Sequence, residues 1–112
     1  MKESLILIIS LFTFSNASLA QKVFSVDYES NADVKVFVVE YESNADLSIF
    51  KEKYESNAKG NGGKWHFVEY ASNADKKIYF VEYESNADLK IYFVDYESNA
   101  GWRKKEKIHL MY

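Results

Sequence analysis

One hexapeptide constrains this chain more than any other feature. Tyr-Glu-Ser-Asn-Ala-Asp starts at Tyr28 and returns, nearly unchanged, at Tyr41, Tyr54, Tyr70, Tyr83 and Tyr96. The tyrosines lie 13, 13, 16, 13 and 13 residues apart. The third copy ends in Lys59 and the sixth in Gly101, and the fourth carries Ala71 in place of Glu. The one long interval contains Gly60-Asn61-Gly62-Gly63 and splits the array into two halves of three motifs. Internal repetition on this scale decides the architecture before local propensity does.

The segments between motifs have strand composition: Val23–Asp27, Val34–Glu40, Leu47–Lys53, Lys64–Glu69, Lys76–Glu82 and Leu89–Asp95. Their centres are β-branched and aromatic, as in Ile78-Tyr79-Phe80-Val81 and Ile91-Tyr92-Phe93-Val94, which suits a pleated surface. A seventh run, Ile108–Tyr112, is expected to close the chain as a strand. Thirteen residues are too few for a strand plus a crossover helix, so a βαβ architecture is excluded. Both faces of the fifth and sixth runs are apolar at the centre, which predicts strands buried on both sides, or on one side beneath an aromatic belt. Lys51-Glu52-Lys53 is charged on both faces, and the third run is therefore expected at a sheet edge.

The motif itself reads as a turn device. Asn tolerates the left-handed backbone region and can fold its amide onto the chain. Ser and Asp cap turns by local hydrogen bonds, Ala permits close packing, and Tyr supplies apolar area with a polar tip. The residues expected to do this structural work are Tyr28, Ser30, Asn31 and Asp33; Tyr41, Ser43, Asn44 and Asp46; Tyr70, Asn73 and Asp75; Tyr83, Asn86 and Asp88; and Tyr96 and Asn99.

The N-terminus has a different character. Met1-Lys2-Glu3-Ser4 precedes the apolar run Leu5–Phe14, and Ser18 and Ala20 occupy the small-residue positions of a signal-peptidase site. We expect residues 1–20 to be a signal peptide and residues 21–112 a single domain in the periplasm or outside the cell. The run is too short to span a bilayer. With no cysteine among 112 residues, neither a disulfide nor a thiolate metal site is available, so an exported domain of this size must be stable by packing alone. Proline is also absent, and aromatics make up 17% of the chain; that content argues against disorder, and chains without proline keep every ladder donor.

The six motifs, together with Gly62-Gly63-Lys64-Trp65, Tyr70–Val81, Ala100-Gly101-Trp102-Arg103 and the closing Lys107–Tyr112, resemble the septoil-knot proteins, a small bacterial family of unknown function. The resemblance covers residues 22–112. It implies a compact all-β fold with a seven-crossing torus knot, although periodicity alone points to an unknotted sandwich or roll, as chains ordinarily avoid knots. The expectation carried forward is an all-β repeat of about seven short strands with six Tyr-x-Ser-Asn-Ala turns, a knotted β-sandwich or roll. The family brings no catalytic residues.

Little in the chain points to chemistry. His66 sits mid-strand and His109 has no partner at metal-ligand spacing, no serine is set apart from its equivalents as a nucleophile would be, and Gly60–Gly63 lacks the Lys-Ser/Thr ending of a phosphate loop. Oxygen ligands at a repeat period invite calcium, but the glycine-rich ligand loop is missing and two motifs lack Asp. No catalytic, cofactor or metal site is expected. Residues 21–100 hold nine lysines against fifteen acids, a balance of −6, whereas residues 101–112 balance at +3. The acidic body argues against nucleic acid, and the basic tail reads as a solvated segment that neutralises acidic strand ends. The expected role is a non-enzymatic structural or interaction module of the bacterial envelope or exterior, with partners unknown. The alternative is a module binding polysaccharide or another envelope component through exposed Trp65, Trp102 and the motif tyrosines.

Overall fold

A computed structural model describes residues 21–54 and 62–111. The expected signal peptide, Glu55–Lys59 of the third motif, Gly60, Asn61 and Tyr112 lie outside the described residues. Within them the chain forms strands β1 (Lys22–Ser25), β2 (Val34–Val38), β3 (Leu47–Lys51), β4 (Lys64–Phe67), β5 (Lys76–Phe80), β6 (Leu89–Val94) and β7 (Gly101–Trp102). A single 3-10 turn follows β1, β2, β4, β5 and β6, and a longer 3-10 segment, Lys105–Met111, ends the described chain.

Six of these strands form one parallel sheet in the order β4-β1-β5-β2-β6-β3, and β3 pairs in turn with β4, so the sheet closes into a barrel. β7 lies antiparallel on the start of β3. This is neither the sandwich nor the roll expected from the repeat. Closure gives each of the six strands two neighbours and removes the edges that a sandwich retains. β3, expected at an edge because of Lys51-Glu52-Lys53, is instead flanked by β6 and β4. Its charges sit where the strand ends. The Lys51 ammonium lies 4.6 Å from the Phe93 ring centre and 5.8 Å from that of Phe67, within cation–π range.

Parallel strands ordinarily need long connections because the chain must run back a full strand length. Here the connections after β1, β2, β4 and β5 are eight residues long, and register explains why that suffices. Ser25, at the end of β1, and Val34, at the start of β2, both pair with Ile78 of β5. Val38 and Leu47 likewise share Ile91 of β6, and Phe80 and Leu89 share Val36 of β2. The register climbs at each step around the barrel, so a link has only to step over one strand.

Inward residues make the core: Val23, Val34, Val36, Leu47, Ile49, Trp65, Ile78, Leu89, Ile91 and Met111. The outward aromatics Phe24, Phe37, Phe50, Tyr79 and Tyr92 are half-buried, the belt that two-sided apolar runs allow. Of the seventh strand expected at Ile108–Tyr112, the described part, Ile108–Met111, instead belongs to the closing 3-10 segment, which sends Met111 into the core, and the buried Gln21 amide Nε2 donates to the Met111 carbonyl at 3.2 Å. The chain's two described ends thus meet at the barrel.

Gly63 begins the second half and has φ +94°. A Cβ there would collide with the Ser48 carbonyl oxygen and approach Gly101 N to 3.0 Å, and its own carbonyl accepts from Phe50 N at 2.8 Å. Gly62 is exposed, with open space around it. We expect Gly63→Ala to destabilise by about 2–4 kcal/mol and Gly62→Ala to change stability by less than about 0.5 kcal/mol, measured by urea denaturation.

Candidate functional site

Each described crossover is built the same way. Its tyrosine is extended, with φ between −120° and −128°. The Tyr carbonyl accepts from the Asn N–H three residues on, and the following carbonyl accepts from the Ala N–H, all at 3.0–3.1 Å. The Tyr position supplies no side-chain cap to any of these turns, and no described residue other than glycine has positive φ. The expectation that Asn works through the left-handed region, and Ser through local capping, is therefore corrected: five single 3-10 turns with extended residues on either side do not require it.

The aspartates act across the sheet rather than within the turn. Asp33 N–H donates to the Lys77 carbonyl at 2.7 Å, and Lys77 N–H donates back to Asp33 Oδ2 at 2.9 Å. The same reciprocal pair joins Asp46 to Lys90 (2.8 and 2.8 Å), Asp75 to Lys22 (2.6 and 2.8 Å) and Asp88 to Lys35 (2.7 and 3.0 Å). Each link is thereby pinned to the strand it crosses. At the sixth copy, Gly101 takes the equivalent place beside Ser48 and starts β7. The repeated Lys six residues before most motif tyrosines was the available signal, and sequence reasoning missed it. Motif glutamates reach sideways: Glu29 to Lys35 at 3.3 Å, Glu84 to Lys90 at 3.1 Å, Glu97 to Lys64 at 2.7 Å and Glu42 to Ser48 Oγ at 3.2 Å. Exposed pairs of this kind contribute about 0–1 kcal/mol each.

Asp46 differs from the other three in being fully buried. Besides the Lys90 N–H, its Oδ2 accepts from Lys107 Nζ at 3.2 Å, Lys104 Nζ stands 3.8 Å from Oδ1, and its carbonyl accepts from Arg103 and Lys104 N–H. The basic tail is thus folded onto an acidic strand start.

The aromatics divide sharply. Trp65 is completely buried, its ring centre 6.1 Å from that of Phe67 in a T-shaped contact, so it is removed from the expected ligand surface; it belongs to the core that fills the barrel. Trp102 is half-buried against the core. The six motif tyrosines are the most exposed, at 62–70%, with Phe80 next at 36%. His66 is partly buried, with Nδ1 2.9 Å from the Glu52 carbonyl oxygen, and His109 Nδ1 lies 3.1 Å from that of Glu106. Among the described residues, no group of three or more His, Asp or Glu side chains could hold a metal ion, and no helix is long and apolar enough to cross a membrane.

Removing a buried, charge-paired carboxylate strands its partners, whereas an exposed one is replaced by water. Asp46→Ala should therefore destabilise by about 3–5 kcal/mol and Asp88→Ala by about 1–2 kcal/mol, compared by equilibrium denaturation. Equal losses would show that the buried tail contacts contribute nothing.

No curated protein matches the chain, and no solved structure does. The 7(1) septoil knot domain model matches residues 20–103. A closed barrel of short strands, with the same backbone clasp at four of its crossovers within that span, belongs to a chain of the septoil knot domain family.

Proposed function

We propose that this protein is an exported, non-enzymatic scaffold or interaction module of the bacterial envelope or exterior, and that its backbone closes as a seven-crossing torus knot. One observation carries the reading: the two halves alternate strictly around the barrel, each strand of one half lying between strands of the other. Interleaving of this kind suits a protein that must persist where proteases and denaturing conditions are met and where, without cysteine, no disulfide can help. The near-identical strand centres, such as Ile78–Val81 and Ile91–Val94, would aggregate if exposed, and the barrel leaves them no free edge. Among the described residues, His66 and His109 place Nδ1 on backbone carbonyls and Asp33, Asp46, Asp75 and Asp88 hold backbone amides, an arrangement that serves the fold. The acidic body disfavours nucleic acid as a partner.

Opening such a barrel means withdrawing chain through chain, so its persistence is kinetic. Unfolding in strong denaturant, extrapolated to water, should be slower than about 10⁻⁶ s⁻¹, and refolding should be slow because the strand contacts are non-local. Digestion of the folded protein by a nonspecific protease within minutes would defeat the reading. Export is checked separately. Expressed at full length in a Gram-negative host, the chain should be recovered from the periplasm or medium with Gln21 as its new N-terminus.

A further inference from the structure

The repeat contains an inversion that the fold does not account for. Motif positions that hold the barrel together vary between copies: the Glu that reaches a neighbouring lysine is Ala71 in the fourth, and the Asp of the clasp is Lys59 in the third and Gly101 in the sixth. Ala, buried or half-buried in the described copies, is identical in all six, and so are the three residues Tyr, Ser and Asn. Yet in the five fully described crossovers these three side chains are exposed and make no hydrogen bond or ring contact among the described residues. The fold uses the Tyr carbonyl and the Asn N–H, which any residue would supply.

The tyrosines also border niches of one recurring composition. Beside Tyr28 lie Phe24, Asp27 and Asn31; beside Tyr70 lie His66, Glu69 and Asn73; beside Tyr96 lie Tyr92, Asp95 and Asn99. In each, a flat ring four residues before the tyrosine, an acid one before it and an amide three after it face one open cavity, of about 390, 400 and 210 Å³ respectively. Neighbouring crossovers add a wall, through Ala71 at the first niche and Glu42 at the third.

We propose that these niches are binding sites for neutral polysaccharide. An exposed tyrosine face suits the C–H face of a pyranose, an apolar contact that keeps the phenol wet. A carboxylate beside an amide offers acceptors and a donor for vicinal hydroxyls. Each niche carries an acid, faced by Lys77 at the first; the second and third hold no cation and, within a body of net charge −6, repel anionic chains. The three niches lie at the crossovers that step over β5, β1 and β3, so they open at separate places around the barrel. One protein molecule thereby engages several glycan strands and links them, each weak niche adding avidity. This deepens the interaction role proposed above, and the two fail separately, since resistance to protease is measured without glycan.

The test is co-sedimentation of the purified protein with insoluble cellulose, chitin and mannan, against anionic alginate beads. Retention is expected on at least one neutral glycan and not on alginate. Replacing all six motif tyrosines by Ala should weaken retention by about 100-fold or more, and replacing one by only about threefold, with the melting temperature unchanged; replacing all six by Phe should preserve it. If the six-Ala variant fails to fold, Asn31→Ala, Asn73→Ala and Asn99→Ala combined should weaken retention at least about tenfold. Absence of retention on every neutral glycan, preference for alginate, or a folded six-Ala or triple-Asn variant retained like the parent would overturn the proposal.

Discussion

A parallel barrel joined by eight-residue links depends on each link being fixed to the strand beneath it, and the Asp–Lys backbone exchange does this. A link that steps over a strand leaves the first amides of the next strand close to a neighbour but out of line with a regular ladder. The aspartate supplies the missing register. Its own N–H meets a carbonyl on the crossed strand, and its carboxylate takes the amide of that same residue. Hydrogen bonds to an ionised acceptor are stronger than neutral ones, and each of these carboxylates reaches 44 or 53 residues along the chain. Local turns are in this way converted into long-range constraints.

Packing and electrostatics then follow from closure. The barrel encloses one line of Val, Leu and Ile side chains plus Trp65, a modest core for a chain of this length, and turns its second face outward as a half-buried aromatic belt. The end is stopped by Met111 and by the lysines drawn onto Asp46. Burying Asp46 is tolerable because two ammonium groups and a backbone amide surround it. The tail that looked like solvated charge has a place in the structure.

Much of this was written plainly in the residues. The period, the strand centres around Ile78 and Ile91, and the exclusion of crossover helices all follow from spacing and side-chain type. Pairing did not. A thirteen-residue period is equally compatible with an antiparallel roll, and only the shared registers at Ile78, Ile91 and Val36 distinguish the barrel. The aspartates looked like local caps because their partners are remote in sequence, although Lys22, Lys35, Lys77 and Lys90 recur in step with them. Trp65, among lysine and histidine, had the look of a surface residue, because alternation cannot say which side of a closed sheet is inside. Ile108–Met111 had strand composition but became a 3-10 stopper, since the barrel had no vacant edge for it to join.

The alternation of the two halves has a consequence for ancestry. β1, β2 and β3 find their barrel partners in β4, β5 and β6, and the reverse is also true. Three repeats on their own therefore contain no strand pair and cannot make a smaller version of this fold. A half-length precursor would have reached it only as two copies wound about each other, and joining them head to tail through the Gly60–Gly63 segment would have turned an intertwined dimer into a single entangled chain.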